Sequence, residues 1–388
     1  LCYNSLHNLA KRGFYLSDIT LVLLGAGSAT RFKMKPKKQW LYSGEKPVWL
    51  QAADHFASRY TFAKIIIVSS KEDIRLMKNF APFEYIEGGS TRQASLANAL
   101  QIVTTPYVLV SDIARCCIDD AMVQRVLDAK NRAECIVPAL PVVDTLYIDQ
   151  IPTDRSKALR VQTPQLSRTQ TLIKAFLSGI EFTDESSAIA ANGGEVFFVE
   201  GSENAHKLTT IEDLKKLSCL KKPSSRTLTG FGIDIHPFET GKTMMLCGTQ
   251  IDVPYGFKAH SDGDVAIHAL IDAILGAAGF GDIGEFYPDN DAQYAGIDSR
   301  KLLEATVATI RSCGLVIGNV DLSIIAQIPK ISPYKERMRH NLAQLLGINA
   351  NFVNIKATTA EELGFLGRKE GIAVQAVANL TYFDWTNE

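Results

Sequence analysis

Neither sign of charge is in excess along the 388 residues, since 41 Lys plus Arg stand against 42 Asp plus Glu for a formal net charge of −1. A general basic field able to hold a nucleic-acid backbone is thereby excluded, and any anionic ligand must be met by a local cluster of cations. Long hydrophobic runs are missing as well. The longest apolar stretches, Leu21 to Gly27 and Ala269 to Phe280, fall short of the ~20 residues that span a bilayer, and the second carries Asp272; no membrane partner is expected. Leu1 to Leu16 mixes His7, Lys11 and Arg12 with apolar residues, so no cleavable leader is expected there. The seven cysteines form no C-x-x-C pair, which predicts reduced thiols in a cytoplasmic protein rather than a disulfide framework. Internal repeats and low-complexity tracts are missing, and 27 Gly with 14 Pro is ordinary usage. What is present is a globular composition, 46% hydrophobic and 21% charged, in a chain long enough for two domains.

From Asp18 to about Leu208, β-rich runs at Ile19 to Leu24, Lys64 to Val68, Tyr107 to Val110, Cys135 to Val137 and Val196 to Val199 alternate with helical patterns. The helical patterns are Val48 to Ala57, Ser90 to Val103 and Ala121 to Lys130, with Ser90 and Asp120 as expected N-caps. Such alternation predicts an α/β fold, a mostly parallel sheet with helices on both faces, whose ligands sit beyond the carboxyl ends of the strands. The polar stretch Ser218 to Thr227 reads as a linker. Beyond it the pattern restarts: a strand at Leu228 to Ile235, an apolar helix from Gly263 to Ala278, a helix at Ser299 to Cys313, a strand at Val320 to Gln327, a helix around Tyr334 to Leu346, and strands at Val353 to Ala357 and Ile372 to Tyr382. The expected domains are 1–217 and 228–388, joined by 218–227.

Three polar segments each follow a β-like run and should converge on one crevice: Gly25 to Arg31, Gly88 to Arg92 and Asp112 to Arg115. Taken alone, the glycine-rich turn is an ordinary βα connection as readily as a phosphate cradle, and it matches neither a Walker loop nor a full G-x-G-x-x-G. Arg31, Lys33, Lys35, Lys37 and Lys38 follow directly; alone they are a solvated basic loop as readily as a triphosphate clamp. Their shared crevice favours the clamp. Asp112 at a strand end suits Mg²⁺ or a hydroxyl, and Arg92 and Arg115 suit phosphate oxygens.

Together with Gln39, Ser95, Asp144-Thr145, Thr163-Pro164-Gln165, Thr183-Asp184-Glu185 and Val199-Glu200-Gly201, these residues resemble the 2-C-methyl-D-erythritol 4-phosphate cytidylyltransferases over 18–217. The resemblance implies a Rossmann-like nucleotidyltransferase sheet that joins CTP to methylerythritol phosphate, giving CDP-methylerythritol and pyrophosphate with Mg²⁺, or Mn²⁺ in its place. It assigns Gly25, Ala26, Gly27, Gly89, Ser90, Arg92 and Ser95 to nucleotide binding. Arg31, Lys38 and Lys207 match catalytic cations, and Asp112, Arg115, Thr145, Arg155 and Thr183 match the alcohol-phosphate site. The chain departs from the family pattern at Gly25, Thr30 and Ala205-His206. The attacking phosphate oxygen is already ionised at neutral pH, so cations and positioning suffice without a general base.

In the second half, Asp234 and His236 stand two apart on a predicted strand and share one face. Asp264, His268 and Asp272 recur at spacing four in a helical pattern. A lone histidine in an apolar helix is usually a core residue, but three ionisable groups on one stripe are costly to bury without partners. Asp234, His236 and His268 form an O,N,N set of the kind that leaves a zinc position open, with Asp272 or Asp282 as possible supports for a histidine ring. Cys247 and Cys313 read as buried apolar residues.

The segments at 232–238, 259–265, 281–284, 326–330 and 356–365 are similar to those of 2-C-methyl-D-erythritol 2,4-cyclodiphosphate synthases. The resemblance covers 228–380 and implies an α/β cyclodiphosphate-synthase domain in which the 2-phosphate of CDP-methylerythritol 2-phosphate attacks the β-phosphorus and expels CMP. It implies Asp234, His236 and His268 as Zn²⁺ ligands and Glu361 as a Mg²⁺ ligand. His260, Ser261 and Thr359 match groups at the transferring phosphates, and Asp289 matches the methylerythritol site. Asp272, Asp282 and Gly284 match the ribose contacts. Ala326, Lys330, Thr358 and Phe365 match the cytosine and phosphate cradle, and Arg368 matches an arginine near a threefold axis. Trimeric synthase domains and dimeric transferase domains imply a homo-oligomer, a hexamer. The kinase acting between the two steps is a further expected partner, since no Walker-type loop supplies that step here.

Two rival readings remain at this level. One is a sugar-phosphate nucleotidyltransferase fused to a zinc phosphohydrolase, and the other is a nucleotide-sensing scaffold without turnover. His7, His55, His206, His340, Asp73 and the arm from Leu1 to Ser17 carry no functional signal of their own.

Overall fold

Leu21, Val22 and Leu23 are all fully buried, as expected of a strand covered on both faces and therefore apolar without alternation. They belong to β1 (Phe14–Leu24), an interior strand of an eight-stranded sheet in the computed structural model, which describes residues 14–27, 32–259, 261–288, 290–294 and 296–388. The chain divides into two units, Leu1–Lys222 and Pro223–Glu388, parting inside the polar stretch 218–227.

In the first unit β1 pairs in parallel with β2 (Tyr60–Ser69) and β4 (Tyr107–Asp112), and β2 with β3 (Glu84–Glu87). Beyond β4 the sheet turns antiparallel: β7 (Gln165–Arg168) lies between β4 and β5 (Cys135–Pro141), and β6 (Leu159–Val161) flanks β5. Strand β8 (Val196–Glu200) pairs with β5 in parallel. The antiparallel wing is a feature the alternation did not predict, because Gln165 to Arg168 has neither β-branched residues nor an apolar repeat. Helices α1 (Val48–Arg59), α2 (Lys71–Met77), α3 (Arg92–Leu100), α4 (Asp120–Asp128), α5 (Thr169–Phe176) and α6 (Glu185–Ala191) connect and cover the strands. One core joins Val22, Ile66, Val108 and Val110 of the sheet to Leu96 of α3, Leu172 of α5 and Ile189 of α6.

Both expected N-caps shift by one residue. Thr91, not Ser90, accepts from Ala94 N–H, and Asp119, not Asp120, accepts from Met122 N–H; in each case an equivalent oxygen one position away meets the free donor. The expectation of reduced thiols throughout is corrected too. Cys117 and Cys219 form a disulfide, while Cys116, Cys135, Cys247 and Cys313 are free and buried. The pairing was hidden because its partners lie 102 positions apart.

In the second unit five strands run in the order β10 (Tyr255–Phe257), β9 (Leu228–Thr240), β13 (Gly371–Tyr382), β11 (Leu315–Ile325) and β12 (Val353–Thr358). Helix α7 (Val265–Ala278) lies on β9 and β13. Gly230 and Gly232 allow this approach, because a Cβ at either would run into the α7 backbone at Ala273 or Ala269. On the opposite face of β9, Phe231, Ile233 and Ile235 are exposed. Helices α8 (Ser299–Ser312) and α9 (Lys335–Leu346) complete the unit. Among the described residues, no helix is long and apolar enough to cross a membrane.

Candidate functional sites

At the carboxyl ends of β1 and β4 opens a cavity of about 450 Å³ lined by Gly25, Ala26, Gly27, Lys38, Gln39, Gly89, Ser90, Thr91, Arg92, Ser95, Asp112, Ile113, Ala114, Lys207 and Thr209. The predicted loops thus converge. Gly25 packs against the Ile113 side chain, whose tip would have to shift to admit a Cβ there. Ser95 ties the second loop down: its hydroxyl accepts from Gly89 N–H at 3.0 Å and donates to the Thr91 carbonyl at 2.8 Å.

The electrostatic centre is Asp112. Lys207 Nζ lies 2.9 Å from its carboxylate, Arg92 Nε 3.6 Å and Arg115 Nε 3.8 Å. Burial alone would push this carboxyl up, but Lys207, Arg92 and Arg115 hold it down at about 2. Behind Arg92 stands Glu185, fully buried, which accepts from its guanidinium at 2.6 and 3.3 Å. Burial raises the Glu185 carboxyl despite that partner. For Arg92, burial opposes the charge, but Glu185 and Asp112 outweigh it and keep the guanidinium above its ordinary value. Arg115 donates to the Ala205 carbonyl at 2.6 Å, and Lys38 Nζ donates to the Leu208 carbonyl at 3.1 Å. Lys207, Arg92 and Arg115 thus gather on Asp112 while Lys38 lines the same cavity, and cations so grouped suit a polyphosphate.

Three predicted members stand elsewhere. Thr145 and Arg155 are exposed on an arm containing the hairpin Leu146–Ile148 and Ile151–Thr153. Thr183 is exposed just before the Asp184 cap of α6. Thr30 and Arg31 lie outside the described residues, as do His260 and Asp289 of the second site.

In the second unit, Asp234 and His236 share the β9 face that carries Gly230 and Gly232, and the close approach of α7 sets His268 beside them. The Asp234 carboxylate lies 3.0 Å from His236 Nε2 and 3.3 Å from His268 Nδ1, and one ligand atom from each residue falls within 4.8 Å of the others. The far side of each ring is held. His236 Nδ1 bonds the Gly263 carbonyl at 2.9 Å, while His268 Nε2 meets Ser261 Oγ at 3.2 Å and Ser299 Oγ at 3.0 Å. Ser299 in turn donates to Asp262 at 2.5 Å. Burial opposes charge on Asp234, yet His236 and His268 hold its carboxyl well below the usual range. Burial also works against the His236 cation, and Asp234 overcomes it, raising that imidazole. A carboxylate and two imidazoles converging with their rings fixed from behind fit a divalent ion of zinc type.

Other members of the predicted stripe take different parts. Asp264 is the N-cap of α7 rather than a helical residue; fully buried, it accepts from Ile267 at 3.1 Å, Cys247 at 2.9 Å and Gly248 at 2.6 Å. Asp272 accepts from Ile283 N–H at 2.8 Å and Asp282 from Glu285 N–H at 2.9 Å, beside exposed Gly284. Neither supports a histidine ring; serine hydroxyls and a backbone carbonyl do that instead. At the carboxyl ends of β11 and β12, Ala326 N–H donates to the Thr358 carbonyl at 3.0 Å, which brings 326–331 and 358–362 together. Lys330, Thr358, Thr359 and Phe365 are exposed there, and Arg368 pairs with Glu370 at 2.7 Å. Glu361 accepts from the Thr359 hydroxyl and is not part of the Asp234 trio. His236 pairs with Ile372, and Thr358 with Ile325, which pairs with Ala373. The cradle is therefore three strands from the trio, roughly 14 Å at about 4.8 Å per strand.

Sequence reasoning quoted Glu185, Asp262 and Gly263 within family segments but gave them no role, and it missed Thr209 and Ser299. The turn Ser261-Asp262-Gly263 next to His268 was a usable signal, but nothing local tied Ser299 or Glu185 to their partners, 31 and 93 positions away.

The family model for 2-C-methyl-D-erythritol 4-phosphate cytidylyltransferase matches residues 19–220, and that of the YgbB family matches 227–381. A bifunctional enzyme IspD/IspF of a Sulfurovum species is 64% identical over 370 residues, covering 95% of this chain and 99% of the relative. One from Sulfurimonas denitrificans is 55% identical over 374 residues, covering 96% and 97%. The solved bifunctional IspDF from Campylobacter jejuni is 47% identical with a TM-score of 0.84, covering 95% of this chain and 100% of that one.

Proposed function

Because the chain belongs to the bifunctional IspD/IspF family, we propose that its two sites divide the family's two reactions as the two units divide the chain. It is an enzyme of isoprenoid precursor biosynthesis, with a cytidylyltransferase half and a cyclodiphosphate synthase half. The first joins CTP and methylerythritol 4-phosphate with release of pyrophosphate, and the second cyclises CDP-methylerythritol 2-phosphate with release of CMP.

The observation that carries the assignment of sites is the pairing in one chain of a cation-rich cavity around Asp112 with an Asp-His-His trio. In the first, Lys38, Arg92 and Lys207 neutralise the triphosphate, Arg115 holds the alcohol's phosphate and Asp112 accepts from one of its hydroxyls, so that the attacking phosphate oxygen needs aiming rather than deprotonation. The glycine loops leave room for cytosine and ribose. In the second, Asp234, His236 and His268 hold Zn²⁺, which when bound supplies a Lewis acid to the phosphate oxygens. Ser261 and Ser299 keep the His268 ring oriented. Mg²⁺, with Mn²⁺ able to substitute, serves both reactions, Glu361 holding it in the second.

The proposal includes a homo-oligomer. The arm bearing Thr145 and Arg155 exposes Val143, Tyr147, Ile148 and Ile151, an apolar surface suited to a dimer that carries those two residues into a second copy's cavity. The open face of β9, with Phe231, Ile233 and Ile235, suits a trimer, and the separation of trio from cradle suits sites completed by a neighbour. Together these give a hexamer. Association with the intervening kinase and a cytoplasmic location, where CTP is at hand, complete the proposal; the Cys117–Cys219 disulfide is the feature that runs against that compartment.

Assays of both half-reactions on the purified chain test the reading. Pyrophosphate release selective for CTP over UTP, and a cyclic diphosphate accompanying CMP, are expected. Inorganic phosphate in place of the cyclic product would favour the zinc phosphohydrolase reading.

A further inference from the structure

Asp73, in the first turn of α2, is 2% exposed. Its carboxylate gathers three donors from one short stretch: Lys37 Nζ at 2.8 Å, Gln39 Nε2 at 3.0 Å and Trp40 Nε1 at 3.0 Å. The capping of α2 does not need it, because Ser70 Oγ accepts from the Asp73 N–H at 3.2 Å and fills that role. Three of the four residues 37–40 therefore hang on one carboxylate. The fourth is Lys38, which lines the cavity beside Gln39 and donates to the Leu208 carbonyl.

A lysine stem has four rotatable bonds, so its ammonium is placed only as well as the backbone beneath it. Burying a carboxylate is costly unless its charge and lone pairs are met, and here they are met by the residues flanking Lys38. An apolar side chain could fasten α2 to the same loop; it could not grip the loop on both sides of the lysine.

We infer that Asp73 is a positioning residue for cytidylyl transfer, clamping Lys37, Gln39 and Trp40 so that Lys38 reaches the phosphates of CTP. The inference rests on the reading of Lys38 as a phosphate-binding cation. It also extends that reading, since the first site then depends on a carboxylate outside its cavity.

The test is a double-mutant cycle on the full chain with Asp73→Asn, Lys38→Ala and the pair, read as pyrophosphate release from CTP, with CMP release as internal control. Asp73→Asn is expected to lower kcat/KM for CTP by about tenfold, with the KM for methylerythritol phosphate and CMP release nearly unchanged. In the Lys38→Ala background it should cost almost nothing further, because its effect runs through the lysine. If the two losses multiply, or Asp73→Asn alone is silent while Lys38→Ala is impaired, the positioning role is overturned and the reading of Lys38 survives. A fully active Lys38→Ala would overturn both. Should Asp73→Asn fail to fold, Lys37→Met removes the half-exposed partner of the clamp, with the same expected coupling to Lys38 and the same contrary result.

Discussion

Ser299 Oγ stands 3.0 Å from His268 Nε2, on the far side of the ring from Asp234. The hydroxyl, itself anchored to Asp262, fixes which nitrogen of His268 faces the trio. Ser299→Ala is expected to weaken Zn²⁺ binding roughly 10- to 100-fold without unfolding the unit, since outer partners of ligand histidines contribute on that scale. Competition with a chromogenic chelator measures it. Wild-type affinity in the variant would make the serine an ordinary core contact.

The grip of Lys207, Arg92 and Arg115 on Asp112 has a pH signature. A carboxyl held near 2 in the folded chain, against its ordinary value near 4, favours folding at every pH above about 4. That contribution, about 2 kcal/mol, fades as pH falls from 4 towards 2. Chemical denaturation of wild type and Asp112→Asn should show a stability gap at pH 6 that closes on acidification through this window. A gap independent of pH would mean that the cations do not hold the carboxylate.

The Cys117–Cys219 disulfide closes a long loop in the first unit. Peptide mapping without reductant should recover the two cysteines in one linked fragment, and Cys219→Ser should lose roughly 2–4 kcal/mol of stability in that unit. Both cysteines recovered as free thiols from unreduced protein would contradict the pairing.

Much of this architecture was legible because its signals are local. The continuous apolar run in β1 announced a strand buried on both faces, and the one-face spacing of Asp234 and His236 needed only the two-residue period of a strand. What failed to show was long-range. Asp264 and His268 share a spacing of four, yet a helix start between them turned one into a cap and left the other facing Asp234. Asp73 carried no motif, and its meaning appeared only when α2 folded against residues 37–40. Glu185, Ser299 and the disulfide are pairings across the fold, which no pattern along the chain encodes.

The central claim is that two independent sites, one run by cations and one by a metal-binding trio, carry out two reactions on one chain. Its most direct test is His236→Ala assayed for both products in a folded protein. The account predicts that CMP release from CDP-methylerythritol 2-phosphate is abolished while pyrophosphate release from CTP proceeds at the wild-type rate. Retained CMP release, or loss of both activities together, would contradict it.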